Sequence, residues 1–168
     1  PGYKEEEIGG TCNKAYPGRN QRIHGGSYII VPQDERLNVE SFTLQCYIFP
    51  TTPEKGRQGL LTKWVEENKS GFGLFIDESG CLSAEIGDGR GLVTKVSSEK
   101  KLLRKVWYLA AVSYDARTGS LTLYQEPVVT STNGGLGIGL LNPAEDTTAV
   151  VESRNSMRPD INDAPFLM

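Results

Sequence analysis

Apolar and polar residues alternate along this chain with a period of two, in short runs closed by turn formers roughly every eight to twelve positions, the spacing of a β-sandwich. The clearest run is 42–49, where Phe42, Leu44, Cys46 and Ile48 fall on one face and Thr43, Gln45 and Tyr47 on the other. Pro50 closes it, because proline cannot donate to a ladder. Further runs cover 27–31, 60–65, 72–76, 82–86, 92–96 and 121–124. Residues 77–80, Asp-Glu-Ser-Gly, join two of them as a hairpin with a glycine free to take positive φ. Gly87-Asp88-Gly89 makes the next reversal, and residues 115–119 form a hairpin loop after the run 107–114. That run is apolar on both parities, which predicts a central strand covered on both faces. Only 99–105 has room for a helical turn. The pattern therefore predicts an all-β fold, an antiparallel two-sheet sandwich.

One domain is expected over residues 1–168, with its core at about 27–126. Beyond Glu126 the pattern weakens, and residues 127–165 read as a long loop or arm in which only 149–151 has strand character. The start at Pro1 without a methionine and the apolar ending 164–168 give the expectation of a fragment of a larger chain.

With 18 Lys and Arg against 21 Asp and Glu the net charge is −3. Such a chain lacks the basic face that nucleic acid or an anionic membrane surface requires. No apolar run is long enough for a membrane helix, and no signal-peptide pattern opens the chain. Cys12, Cys46 and Cys81 are odd in number and widely spaced, a usage expected of reduced thiols in a cytoplasmic protein rather than of a disulfide frame or zinc site. Cys46 and Cys81 sit in apolar runs and are expected to fill the core. His24 is the single histidine, so any histidine-based nucleophilic pair would have to be built on it alone. The sequon Asn68-Lys69-Ser70 would matter only in a secreted protein.

Four segments carry a wider signal: residues 42–50 (FTLQCYIFP), 59–64 (GLLTKW), 71–76 (GFGLFI) and 107–115 (WYLAAVSYD). In this order, and with 119–124 after them, they resemble laminin-G-like, concanavalin-A-like jelly-roll modules. That fold hosts lectins, hydrolases and adhesion modules alike, so it carries little information on function. Pro1-Gly2-Tyr3-Lys4-Glu5-Glu6, Gly26-Ser27-Tyr28, Val31-Pro32, the loop 52–59 (TPEKGRQG), 86–89 and Leu123-Tyr124-Gln125 make the chain similar to the N-terminal region of the large, or beta, subunits of the N,N-dimethylformamidase family. The resemblance implies an amide hydrolase whose iron centre lies in a later region of the large subunit. None of its iron ligands falls on this chain, which would then hold no cofactor of its own.

Four chemistries set different demands on these residues. A glycosidase needs two carboxylates facing each other across a groove, whereas Asp77 and Glu78 are neighbours that point apart and Glu85 faces away from the core near Asp88. Calcium is the better-supported ligand, because Asp77, Asp88 and Asp115 all end strands at a rim; turn formation accounts for the same residues. The glycine run 134–139 lacks the helix and Lys-Ser/Thr pair of a phosphate loop, and Lys100, Lys101, Arg104 and Lys105 read as a solvated edge. Arg57, Gln58 and Trp64 are the candidate contacts with a partner or ligand. The arginine offers a planar fork, and Trp64 shares parity with Leu60 and Thr62, which favours the core over a stacking surface.

The expectation is a noncatalytic module that docks with the rest of its own chain, a small subunit or a neighbouring protomer. The alternative is a carbohydrate-binding, lectin-like module.

Overall fold

The computed structural model describes residues 28–128, 147–154 and 157–168. Ten strands occur among them: β1 (Ile30–Val31), β2 (Phe42–Ile48), β3 (Gln58–Val65), β4 (Ser70–Ile76), β5 (Cys81–Asp88), β6 (Val93–Lys101), β7 (Tyr108–Asp115), β8 (Ser120–Pro127), β9 (Ala149–Arg154) and β10 (Phe166–Leu167). They form a six-stranded sheet in the order β1-β10-β3-β4-β5-β6 and a four-stranded sheet in the order β2-β7-β8-β9, antiparallel throughout. The structure is thus the all-β, two-sheet sandwich that the alternation predicts.

The core lies between the layers. Leu74, Ile76, Leu82, Ala84, Ile86 and Val96 face inward from the larger sheet, and Tyr108, Ala110, Val112, Leu121 and Leu123 from the smaller. Phe42 of β2 stacks on Phe72 of β4 with ring centroids 4.2 Å apart and also meets Tyr114, so one aromatic stitches the sheets together. Cys81 is buried and Cys46 half-buried against the core, where burial pushes the Cys46 thiol above its usual value.

Two expectations are corrected. The strand covered on both faces is not β7, whose Leu109 and Ala111 are half-buried and whose Ser113 is exposed. Double coverage falls instead on β4 and β5 at the centre of the larger sheet. The stretch 99–105 forms no helix: β6 runs on to Lys101, with Glu99 at φ 56°. The short strand expected at 149–151 is present and longer. Residues 149–154 extend the smaller sheet as β9, and β10 inserts between β1 and β3.

Lys63 explains how the C-terminal segment is held. It is 1% exposed, and its Nζ donates to Gln33 Oε1 (2.7 Å), Asn162 O (2.6 Å), Asn162 Oδ1 (3.3 Å) and Ala164 O (2.9 Å). Burial pulls this ammonium below its ordinary value, against an opposing pull from Asp163. Beside it, Asn162 Nδ2 donates to Ser70 Oγ, which itself donates to Asp160.

Candidate functional site

The outer face of the six-stranded sheet carries the densest set of polar and aromatic side chains. Its floor follows from register: Trp64, Gly71 and Gly87 lie across from one another, as do Thr62, Gly73, Glu85 and Lys95, and Phe75, Ser83 and Ser97. Glycines at 73 and 87 leave room for the rings. A Cβ on Gly73 would meet the Phe75 ring at 2.8 Å, and one on Gly87 would meet the Trp64 ring at 3.0 Å.

Arg57 organises the site. Its guanidinium lies 4.0 Å from the Phe75 ring centroid and 5.6 Å from that of Trp64. It donates to Glu85 Oε2 (2.7 Å) and Glu66 Oε2 (3.3 Å), while Trp64 Nε1 donates to Glu66 at 2.7 Å. Hydrogen bonds from Lys69 and Trp64 hold the Glu66 carboxyl below its usual range.

Further along the face, Lys95 Nζ stands 3.6 Å from Asp77, 3.9 Å from Glu78 and 4.0 Å from Glu85. Burial works to raise the pKa of Asp77, but hydrogen bonds from Ser79, Cys81 N–H and Ser97 and the charge of Lys95 outweigh it and hold the carboxyl below its ordinary value. A catalytic acid needs the opposite shift. Asp77 is therefore suited to being a fixed anion, and the lysine stands within reach of both carboxylates rather than leaving a bond to be cleaved between them.

A folded-state value below the unfolded one means that Asp77 stabilises the fold above about pH 3.8 and that this stabilisation is lost as pH falls through the folded value. Asp77→Asn is expected to cost about 1–2 kcal/mol at neutral pH. It should also flatten the acid limb of the stability profile, followed by urea unfolding at stepped pH.

Of the residues singled out as contacts, the structure joins Arg57 and Trp64 and leaves Gln58 apart. Gln58 Nε2 donates to Thr52 O and Gly56 O, bracing its own loop. Trp64 lies half-buried on the outer face and not in the core. The cause is a β-bulge between Gly59 and Leu61, which places Leu61 against Leu74 and shifts Leu60 out of step with Trp64. Glu66, Phe75 and Lys95 are the members that sequence reasoning missed; the opposite charges of Glu85 and Lys95 become a signal only once the β5–β6 register is known.

The three candidate calcium ligands do not meet. Asp77 and Asp88 end β4 and β5 at opposite ends of one hairpin, and Asp115 ends β7 in the other sheet. Each serves its own turn: Asp77 accepts from Ser79 N–H, Asp88 from Arg90 and Leu92 N–H, and Asp115 from Arg117 N–H. Among the described residues no three His, Cys, Asp or Glu side chains cluster closely enough to hold a metal ion together. Cys12, His24 and the glycine run 134–139 lie outside the described residues. In the basic segment, Arg104 pairs with Glu54. No helix among the described residues is long and apolar enough to cross a membrane.

Known proteins match this chain over most of its length. An N,N-dimethylformamidase beta subunit from Alcaligenes sp is 38% identical over 152 residues, covering 89% of this chain and 20% of that protein. One from Paracoccus aminophilus is 36% identical over 152 residues, with the same coverage of 89% and 20%. The chain thus spans about a fifth of the length of the curated relatives it matches. A family model described as the concanavalin A-like lectin/glucanases superfamily matches residues 24–159, in agreement with the two stacked antiparallel sheets. The chain belongs to the concanavalin A-like lectin/glucanases superfamily.

Proposed function

We propose that this chain is the noncatalytic sandwich module of a cytoplasmic N,N-dimethylformamidase-like amide hydrolase, and that its work is assembly: docking with the catalytic region of a longer polypeptide, a small subunit or a neighbouring protomer. The observation that carries the reading is the identity of 36–38% to proteins named as beta subunits, of which the chain spans only 20%. The outer-face chemistry is in keeping with it, since the buried carboxylates of Asp77 and Glu85 are engaged by Lys95 and Arg57. On this reading the iron-dependent hydrolysis belongs to parts of the polypeptide outside this chain. Lysine cross-linking of the full-length enzyme, read by mass spectrometry, should join this module to residues beyond it. A module whose every cross-link stays within itself would count against docking.

One observation favours a second reading, carbohydrate binding. Trp64 is half-exposed over a glycine floor, with an arginine and carboxylates beside it, and such a ring can stack on a sugar face. Calorimetric titration with oligosaccharides distinguishes the readings: saturable heat that Trp64→Ala abolishes supports the lectin.

A further inference from the structure

The two outer faces of the sandwich differ in kind. That of the six-stranded sheet is charged and internally paired, as described above. That of the four-stranded sheet is polar toward Ser120 and Arg154 but apolar over the half toward Phe49 and Trp107, where Gln45 and Glu126 form the rim. Tyr47 of β2 lies across from Leu109 of β7, and Ala111 of β7 from Tyr124 of β8, which in turn faces Val150 of β9. Tyr47 is 65% and Val150 63% exposed. Phe49 and Trp107, just beyond the strand ends, are each 42% exposed and pack ring to ring at 5.2 Å. A contiguous exposed apolar patch of this kind marks an interaction surface.

We infer that this face is the seat of the remainder of the polypeptide, an inference that rests on the docking reading above. Size decides among the occupants. Four strands about 4.8 Å apart and five residues about 3.4 Å apart, with side-chain breadth added, give roughly 400 Å². A stable interface between free proteins needs about 800 Å² per partner, so neither a second copy nor a separate subunit is held well by this patch alone. A covalently attached domain needs far less, because the tether supplies an effective concentration of order millimolar. The relatives provide such a domain: 80% of their length (100 − 20) lies outside the region that this chain matches.

The test is hydroxyl-radical footprinting of Tyr47 and Trp107 in the full-length polypeptide, with the 168-residue chain as reference. Oxidation at both sites is expected to be slower by roughly tenfold in the full-length protein. Tyr47→Lys with Val150→Lys, made in the full-length polypeptide, should restore fast labelling of Trp107; both positions are exposed, so the module's own fold is spared. Equal labelling of the patch with protection of another face overturns this inference and leaves docking standing. Absence of any protected face overturns both. Protection already present in the 168-residue chain also overturns it, pointing to a cover from within those residues or, if it grows with concentration, to a second copy.

Discussion

Lys63→Met is expected to cost about 3 kcal/mol, or roughly 6–12 °C in Tm. The methionine fills similar space but leaves Gln33 Oε1, Asn162 O and Ala164 O without the donor that now joins them. Replacing a buried charge by an apolar group is often neutral when its partner goes too; here the acceptors stay, and a buried acceptor without a donor carries its full desolvation cost. The loss should be local as well as global. β10 pairs with β3 through Leu167 and Thr62, and among the described strands β1 pairs with β10. The amides of Ile29 and Met168, which bond each other's carbonyls, should therefore exchange faster than those of β7 and β8. A Tm unchanged by the substitution, with protection at Ile29 and Met168 intact, would contradict the role given to Lys63.

Gly71→Ala is expected to be at least as damaging, about 3 kcal/mol or more. Gly71 holds φ +109°, which side-chain-bearing residues rarely adopt, and a Cβ there would sit 2.0 Å from Lys63 O and 2.7 Å from Asn162 Nδ2. A backbone oxygen cannot swing aside, so β3 and β4 must separate where Trp64 faces Gly71. That movement displaces the Trp64 ring and the Asn162 clasp together. Urea unfolding should show a lower midpoint with an unchanged slope. Intrinsic tryptophan fluorescence of the folded variant should also shift, since Trp64 loses its packing against Phe75. A variant as stable as the parent would mean that the chain does not make this close approach.

The strands were legible because a sandwich writes itself as period two: Phe42, Leu44, Cys46 and Ile48 do face the core from β2. The hairpin at 77–80 was legible for the same reason, with Gly80 at φ +82° and Asp77 capping the turn. What alternation does not record is where a register slips. One bulge between Gly59 and Leu61 was enough to move Trp64 from the expected core to the outer face. Nor does it record contacts made across long stretches of chain. Lys63 reads as a charge interrupting an apolar strand, and its meaning lies 99 residues away at Asn162. The segment around Asn162 has no apolar period because hydrogen bonds, not a hydrophobic face, hold it in place. Three aspartates at strand ends looked alike in the sequence, yet strand direction sends Asp77 and Asp88 to opposite ends of a hairpin.

The central claim is that this sandwich serves assembly and leaves the chemistry to other parts of the enzyme. Dimethylamine release from N,N-dimethylformamide by the 168-residue chain, with and without added ferrous iron, tests it most directly. The account predicts no release above that of buffer in either condition. Sustained turnover that Glu85→Gln abolishes would contradict it.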